Sequence, residues 1–156
     1  MARSLPWFAR FGRCIECGNI AKNGAPCHAC TDSKREDKIA VVASVQHVLA
    51  FEASGYRGRY HVLRALVNPL EGVNADDIRG DIEALAMRLH AGVELIVALP
   101  SSSEGDATAM AIAREFSGTG ITITRIARGV QANGEIGEAD VVTIFRAIDG
   151  RKRMEG

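Results

Sequence analysis

The four cysteines of this chain fall within 17 residues, as C-I-E-C from Cys14 to Cys17, nine intervening residues, and C-H-A-C from Cys27 to Cys30. Each Cys-x-x-Cys turn points two thiolates at one centre, and a hairpin joining two such turns completes a tetrahedron around Zn²⁺. Gly18 after the first turn and Gly24, Ala25 and Pro26 before the second supply the turn chemistry. A module this small has almost no core, so the metal must supply its folding free energy, on the order of 10 kcal/mol or more. The alternatives are two disulfides or a redox dithiol. Disulfides are disfavoured in a chain without a secretion signal, and a catalytic dithiol needs one Cys-x-x-Cys rather than two. Zinc on Cys14, Cys17, Cys27 and Cys30 is therefore expected, with His28 a bystander inside the second turn.

At 156 residues the chain has room for one ordinary domain beside that module, and its 47% hydrophobic and 24% charged content is that of a globular protein. No apolar run approaches the roughly 20 residues a membrane span needs, so no membrane is expected as a partner. The first residues, MARSLPWFARFGR, set Trp7, Phe8 and Phe11 between arginines without the apolar stretch of a secretory signal, and a cytoplasmic location is expected. Basic and acidic residues number 19 each, which excludes a global field that draws the chain to nucleic acid. Locally, residues 1–38 carry seven basic against four acidic side chains, and two more basic clusters follow, Arg57, Arg59 and Arg64, then Arg151, Lys152 and Arg153. Solvated surface is the common role of such clusters, and phosphate contact the functional one.

After a charged linker at 32–38, the run IAVVASV at 39–45 has the continuous β-branched character of a strand buried on both faces. A short helix over Gln46–Ser54 closed by Gly55 and a strand YHVL at 60–63 are expected next. Asn74 with Asp77 resembles a capping arrangement, and Ile78, Ile82, Leu85, Ala86 and Leu89 mark one face of a helix ended by Gly92. The remaining elements are a strand at 93–99, a small-residue helix over Glu104–Phe116, a strand at 121–127 and an amphipathic helix over Ala139–Ile148. Strands alternating with helices predict an α/β domain, a parallel sheet with helices on both faces. In such sheets functional groups gather where strands meet their loops, here Ala43–Ser44 and Leu99–Asp106.

From Cys14 to about Arg153 the chain resembles the RecR recombination mediators of bacterial DNA repair. The four-cysteine finger, IAVVAS, GYRGRYHVL with NPLEGVNADDI, VELIVALPSSSEGDATAMAIA, TRIARGV and GRKRME occur in family order. The resemblance implies a zinc finger at 14–31, a linker at 32–38 and a Toprim-like domain at 39–128, with a short segment at 1–13 before them and a C-terminal segment at 129–156. It also implies a ring-like homo-oligomer and partners RecO and RecF, which load recombinase onto single-stranded DNA. Thirteen residues precede Cys14, too few for the helix-hairpin-helix domain with which the family begins, so ring assembly and DNA contact through that domain are not expected. Ala43 stands where the family has an acidic residue, Arg128 replaces a histidine, and VQANGE departs from the family's proline and glycine pattern.

Toprim enzymes that cut or join DNA use a glutamate after the first strand for proton transfer and an Asp-x-Asp pair after the third to hold Mg²⁺. Here Ala43 and Ser44 occupy the first position, which removes the proton-transfer group, while Glu104 and Asp106 match the acidic pair. That pair could ligate Mg²⁺ weakly through waters, but its commoner role is favourable charge near a helix N-terminus. In the resembling family this acidic edge faces RecO, which makes Glu104 and Asp106 the partner-binding candidates. Ser101, Ser102 and Ser103 lack the histidine of a nucleophile and the glycines of a P-loop, and His47 and His61 read as packed or surface histidines. Arg57 and Arg59 are the DNA-binding candidates, weakly, since turn solvation explains them as well. The leading expectation is a non-catalytic repair adaptor with structural Zn²⁺. The competing readings are a Mg²⁺-dependent Toprim nuclease or nucleotidyl-transfer module, and a degenerate RecR-like fragment without loading activity.

Overall fold

The computed structural model describes residues 10–126 and 147–154. The described residues begin with an antiparallel hairpin, β1 (Phe11–Arg13) and β2 (Ile20–Lys22), and the first cysteine pair lies in its connection. A four-residue helix, α1 (His28–Thr31), begins at the residue after Cys27 and carries Cys30. Then follow β3 (Lys38–Val42), α2 (Val45–Ala53), β4 (Arg59–Val62), α3 (Arg79–Ala86), β5 (Glu94–Val97), α4 (Ser103–Phe116), β6 (Thr122–Arg125) and β7 (Lys152–Arg153).

The large sheet has the order β4-β3-β5-β6-β7, with the first four strands parallel and β7 antiparallel to β6. Successive side chains of a strand point to opposite faces, so the unbroken apolar runs feed two cores. On one face Ala40, Val42, Tyr60, Val62, Ile96 and Ala98 meet Val48 and Phe51 of α2 and the buried cysteines. On the other, Ile39, Val41, Leu95, Val97 and Ile123 meet Ile82 and Leu85 of α3 and Ala109, Ile112 and Phe116 of α4. Each large side chain so buried contributes about 1.5–3 kcal/mol. The cysteine module is thus a covering layer of the sheet rather than a separate appendage.

The Asn74–Asp77 capping box forms as expected, but it caps a 3₁₀ turn over Ala75–Ile78 that leads into α3. The helix also ends earlier than the apolar spacing implies, at Ala86, because the chain tightens there to i→i−3 bonds, Arg88 N to Leu85 O and Leu89 N to Ala86 O. Gly92 closes the loop into β5 rather than the helix. The helix expected over Ala139–Ile148 lies almost wholly outside the described residues, as do Trp7, Phe8, Arg128 and the VQANGE segment. Strand β7 has no counterpart in the sequence reading. It is two residues long, too short to carry a periodicity, and Arg151 anchors it by donating from Nη2 to Glu94 Oε1 at 3.0 Å. Among the described residues no helix is long and apolar enough to cross a membrane.

Candidate metal centre and acidic corner

The sulfurs of Cys14, Cys17, Cys27 and Cys30 all lie within 4.8 Å of one another, and all four cysteines are free thiols. The Cys17–Cys27 and Cys14–Cys30 sulfur separations are 3.5 and 3.7 Å. A tetrahedron with Zn–S bonds of about 2.3 Å has edges of about 3.8 Å, so the sulfurs stand close to where a tetrathiolate ion would hold them. Four sulfur donors without oxygen suit a borderline-soft ion such as Zn²⁺ and not a hard one such as Mg²⁺. Backbone amides complete the cradle, with Cys27 N donating to Cys14 Sγ at 3.1 Å, Glu16 N to the same sulfur at 3.4 Å, and Asn19 N to Cys17 Sγ at 3.4 Å. These bonds orient the donors and spread the negative charge of a tetrathiolate site. With the thiols this close, hydrogen bonds from Cys17 and Cys30 pull the Cys27 thiol well below its ordinary range, while donation to Cys27 pushes the Cys17 thiol up to about 12.

The first turn is shaped by Cys14 N bonding Asn19 O at 2.6 Å and Gly18 N bonding Cys14 O at 3.0 Å. Gly18 sits at φ +80°, and a Cβ there would stand 3.1 Å from Val62 O. That close approach lets Cys17 O accept from Val62 N at 2.7 Å, so the turn lies against the free edge of β4. Arg88 holds the other side of the contact, donating from Nη1 to Tyr60 O at 2.6 Å and to His61 Nδ1 at 3.2 Å, while Nη2 lies 3.9 Å from Cys30 Sγ. Burial, with Arg88 adding to it, lowers the His61 pKa to about 4. The ring is therefore neutral, and this network assigns Nε2–H as the donor to Asp81 O at 3.1 Å.

Glu52 on α2 ties the module down a second time. Its carboxylate accepts Arg35 Nη1 and Nη2 at 2.8 and 2.6 Å, Tyr60 Oη at 2.6 Å and His28 Nε2 at 3.0 Å. Arg35 is the main reason its pKa falls to about 2. Neither Glu52 nor Arg88 stands out in the sequence, because their partners lie far along the chain. His28 has a structural partner rather than a metal-facing role in this arrangement.

At the far end of β5, Ser102 caps α4 by accepting from Gly105 N at 3.1 Å, which accounts for one serine of the Ser101–Ser103 run. A Cβ on Gly105 would fall 1.9 Å from Pro100 O, so this turn admits only glycine between the two acidic residues. Asp106 pairs with Arg125 at the end of β6. Among the described residues Glu104 makes no ion pair, and neither acid belongs to a cluster of three or more metal-ligating side chains. Ala43 and Ser44 bring no carboxylate to this corner. Instead, Ser44 caps α2 through His47 N at 3.4 Å.

Comparison with known proteins places these features together. The model of the Toprim domain matches residues 37–127. Recombination protein RecR of Streptococcus equi subsp. zooepidemicus is 43% identical over 145 residues, covering 90% of this chain and 72% of that protein. Recombination protein RecR of Thermus thermophilus is 40% identical over 154 residues, covering 97% and 78% respectively. The chain belongs to the RecR family.

The RecR resemblance in the sequence motifs thus holds, and the α/β sheet with its four-cysteine layer is a Toprim domain carrying a metal-type module. The remaining candidates separate within this frame. Arg57 is exposed at the turn before β4, whereas Arg59 is half-buried and donates from Nη2 to Asp32 O at 3.3 Å. His47 is buried in α2.

Proposed function

We propose that this chain acts in DNA recombination and repair as a RecR-type mediator, a cytoplasmic, non-catalytic adaptor that works with RecO and RecF to load recombinase onto single-stranded or gapped DNA. The observation that carries the reading is 43% identity to a recombination protein RecR across 90% of the chain, together with four cysteine sulfurs in tetrahedral proximity. In this reading Cys14, Cys17, Cys27 and Cys30 hold one structural Zn²⁺, residues 14–31 are the finger, 32–38 the linker and 39–128 the Toprim-like domain.

Glu104 is the partner contact. It leaves the first turn of α4 without an ion pair among the described residues, while Arg125 holds Asp106 and fixes the corner. Arg57 is the exposed phosphate contact of the turn before β4, with Arg59 supporting it. The adaptor reading gains support over a Mg²⁺-dependent nuclease from Ala43, which offers no group for proton transfer, and from the hold of Arg125 on Asp106. The test is light scattering of the zinc-loaded protein with purified RecO, for the native chain and Glu104→Lys. The expected result is a complex with the native chain that is weakened at least tenfold in the variant, with an unchanged thermal melt. No complex with the native chain, or Mg²⁺-dependent cleavage of DNA abolished by Glu104→Gln, would overturn it.

A further inference from the structure

Strands β1 and β2 pair Phe11 with Lys22, Gly12 with Ala21 and Arg13 with Ile20. Residues directly opposite one another share a face. Gly12 and Ala21 therefore turn one way, and Ala21 is buried in the core beside the cysteines. Phe11, Arg13, Ile20 and Lys22 turn the other way, outward, with Phe11 46% and Ile20 53% exposed. The outward face is thus a small grid with apolar side chains on one diagonal and cations on the other, about 7–8 Å apart.

Arg13 and Lys22 have no carboxylate within ion-pair distance among the described residues, and neither does exposed Arg10 at the open end of the hairpin. Elsewhere Arg35, Arg64, Arg79, Arg125 and Arg151 each have one. Among the described residues the cations of this face therefore have no compensating carboxylate, and they alternate with apolar surface. Phosphates and unstacked bases present that same alternation. A duplex hides its base faces, whereas a single strand offers them to side chains such as Phe11 and Ile20.

We infer that the outward face of the β1–β2 hairpin is a contact surface for single-stranded nucleic acid, with Arg13 and Lys22 on phosphates and Phe11 and Ile20 against bases. The inference rests on the reading above that the chain works on DNA, and it assigns the metal module a binding role besides its structural one.

The test is fluorescence anisotropy of the zinc-loaded full chain with a labelled oligothymidylate over a range of salt concentrations. For single strands each neutralised phosphate contributes about 0.7 to the slope of log K against log salt, so Arg13→Gln with Lys22→Gln is expected to lower the slope by about 1.4 and the affinity by about 25-fold at about 0.1 M salt. Ile20→Ser is expected to weaken binding several-fold with the slope unchanged. Lys152→Gln with Arg153→Gln on β7, four strand spacings or about 19 Å across the sheet from β4, is expected to change neither. Metal content and melting temperature serve as the check that each variant is folded.

Equal affinity in the hairpin variant and the native chain, an equal loss in the β7 variant, or equal competition by inorganic polyphosphate would each overturn the inference. So would a hairpin variant that loses self-association and keeps its oligonucleotide affinity, since the face would then join copies of the chain. A native chain that forms the RecO complex, yet binds oligothymidylate without regard to Arg13 and Lys22, defeats this inference alone. Loss of both the complex and the oligonucleotide binding defeats the mediator reading with it.

Discussion

Replacing Glu52 by Gln keeps the side chain's size and removes the charge that Arg35, Tyr60 and His28 share. Arg35 is the group most exposed to the consequence, because its side chain is only 6% accessible and that of Glu52 25%. Hydrogen bonds to charged groups contribute about 1.5–3 kcal/mol each, and a buried guanidinium that loses the nearer of its two carboxylates, with Asp32 remaining at 3.6 Å, lies within that range. The depressed acidity gives an independent figure. A carboxyl moved from 4.5 to about 2 corresponds to about 3.4 kcal/mol, and its partial exposure trims that to about 3. For a chain of this size such a loss lowers the melting temperature by about 6–12 °C. Because the folded carboxyl is more acidic than the unfolded one, its contribution is complete above about pH 5 and disappears as pH falls from there toward 2. Urea unfolding of Glu52→Gln and the native protein, followed by circular dichroism from pH 7 to pH 3, should show a difference of about 3 kcal/mol at neutral pH that shrinks on acidification. A difference below about 0.5 kcal/mol, or one that does not change with pH, would refute the reasoning.

Gly105→Ala places a methyl 1.9 Å from Pro100 O, and the forced opening of that turn should cost about 2–3 kcal/mol. A thermal melt equal to that of the native protein would show that the turn gives way to a methyl at no cost. Gly18→Ala must hold φ +80° with a side chain and press on Val62 O, which should cost about 1–2 kcal/mol. The same variant should give up zinc to a colorimetric chelator faster than the native protein, and an equal transfer rate would separate the first turn from the edge of β4.

The cysteine spacing and the β-branched runs make the metal module, the parallel sheet and its buried strands legible, because both signals are local. Thiolates two residues apart declare a turn, and a run such as IAVV declares a strand covered on both sides. What stays hidden depends on chain segments meeting across the fold. Nothing near Glu52 announces that Arg35, 17 residues earlier, will grip it, nor that Asp106 will be taken by Arg125, 19 residues later. The same holds for the docking of Cys17 O on Val62 N, which makes the module expected beside the domain part of the sheet's covering. The early end of α3 escapes the sequence because Leu89 continues the apolar spacing past the point where the backbone has left the helix. Apolar periodicity reports which side chains face the core and not which conformation carries them there.

Zinc held by four thiolates is the claim on which the module, its docking on β4 and the nucleic-acid face all depend. Native mass spectrometry combined with thiol alkylation tests it directly. The expected result is one zinc per chain, with Cys14, Cys17, Cys27 and Cys30 all resistant to alkylation until a chelator removes the metal, and all four modified afterwards. A metal-free chain with the same circular dichroism spectrum, or cysteines that remain unmodified after chelation until a reductant is added, would contradict it.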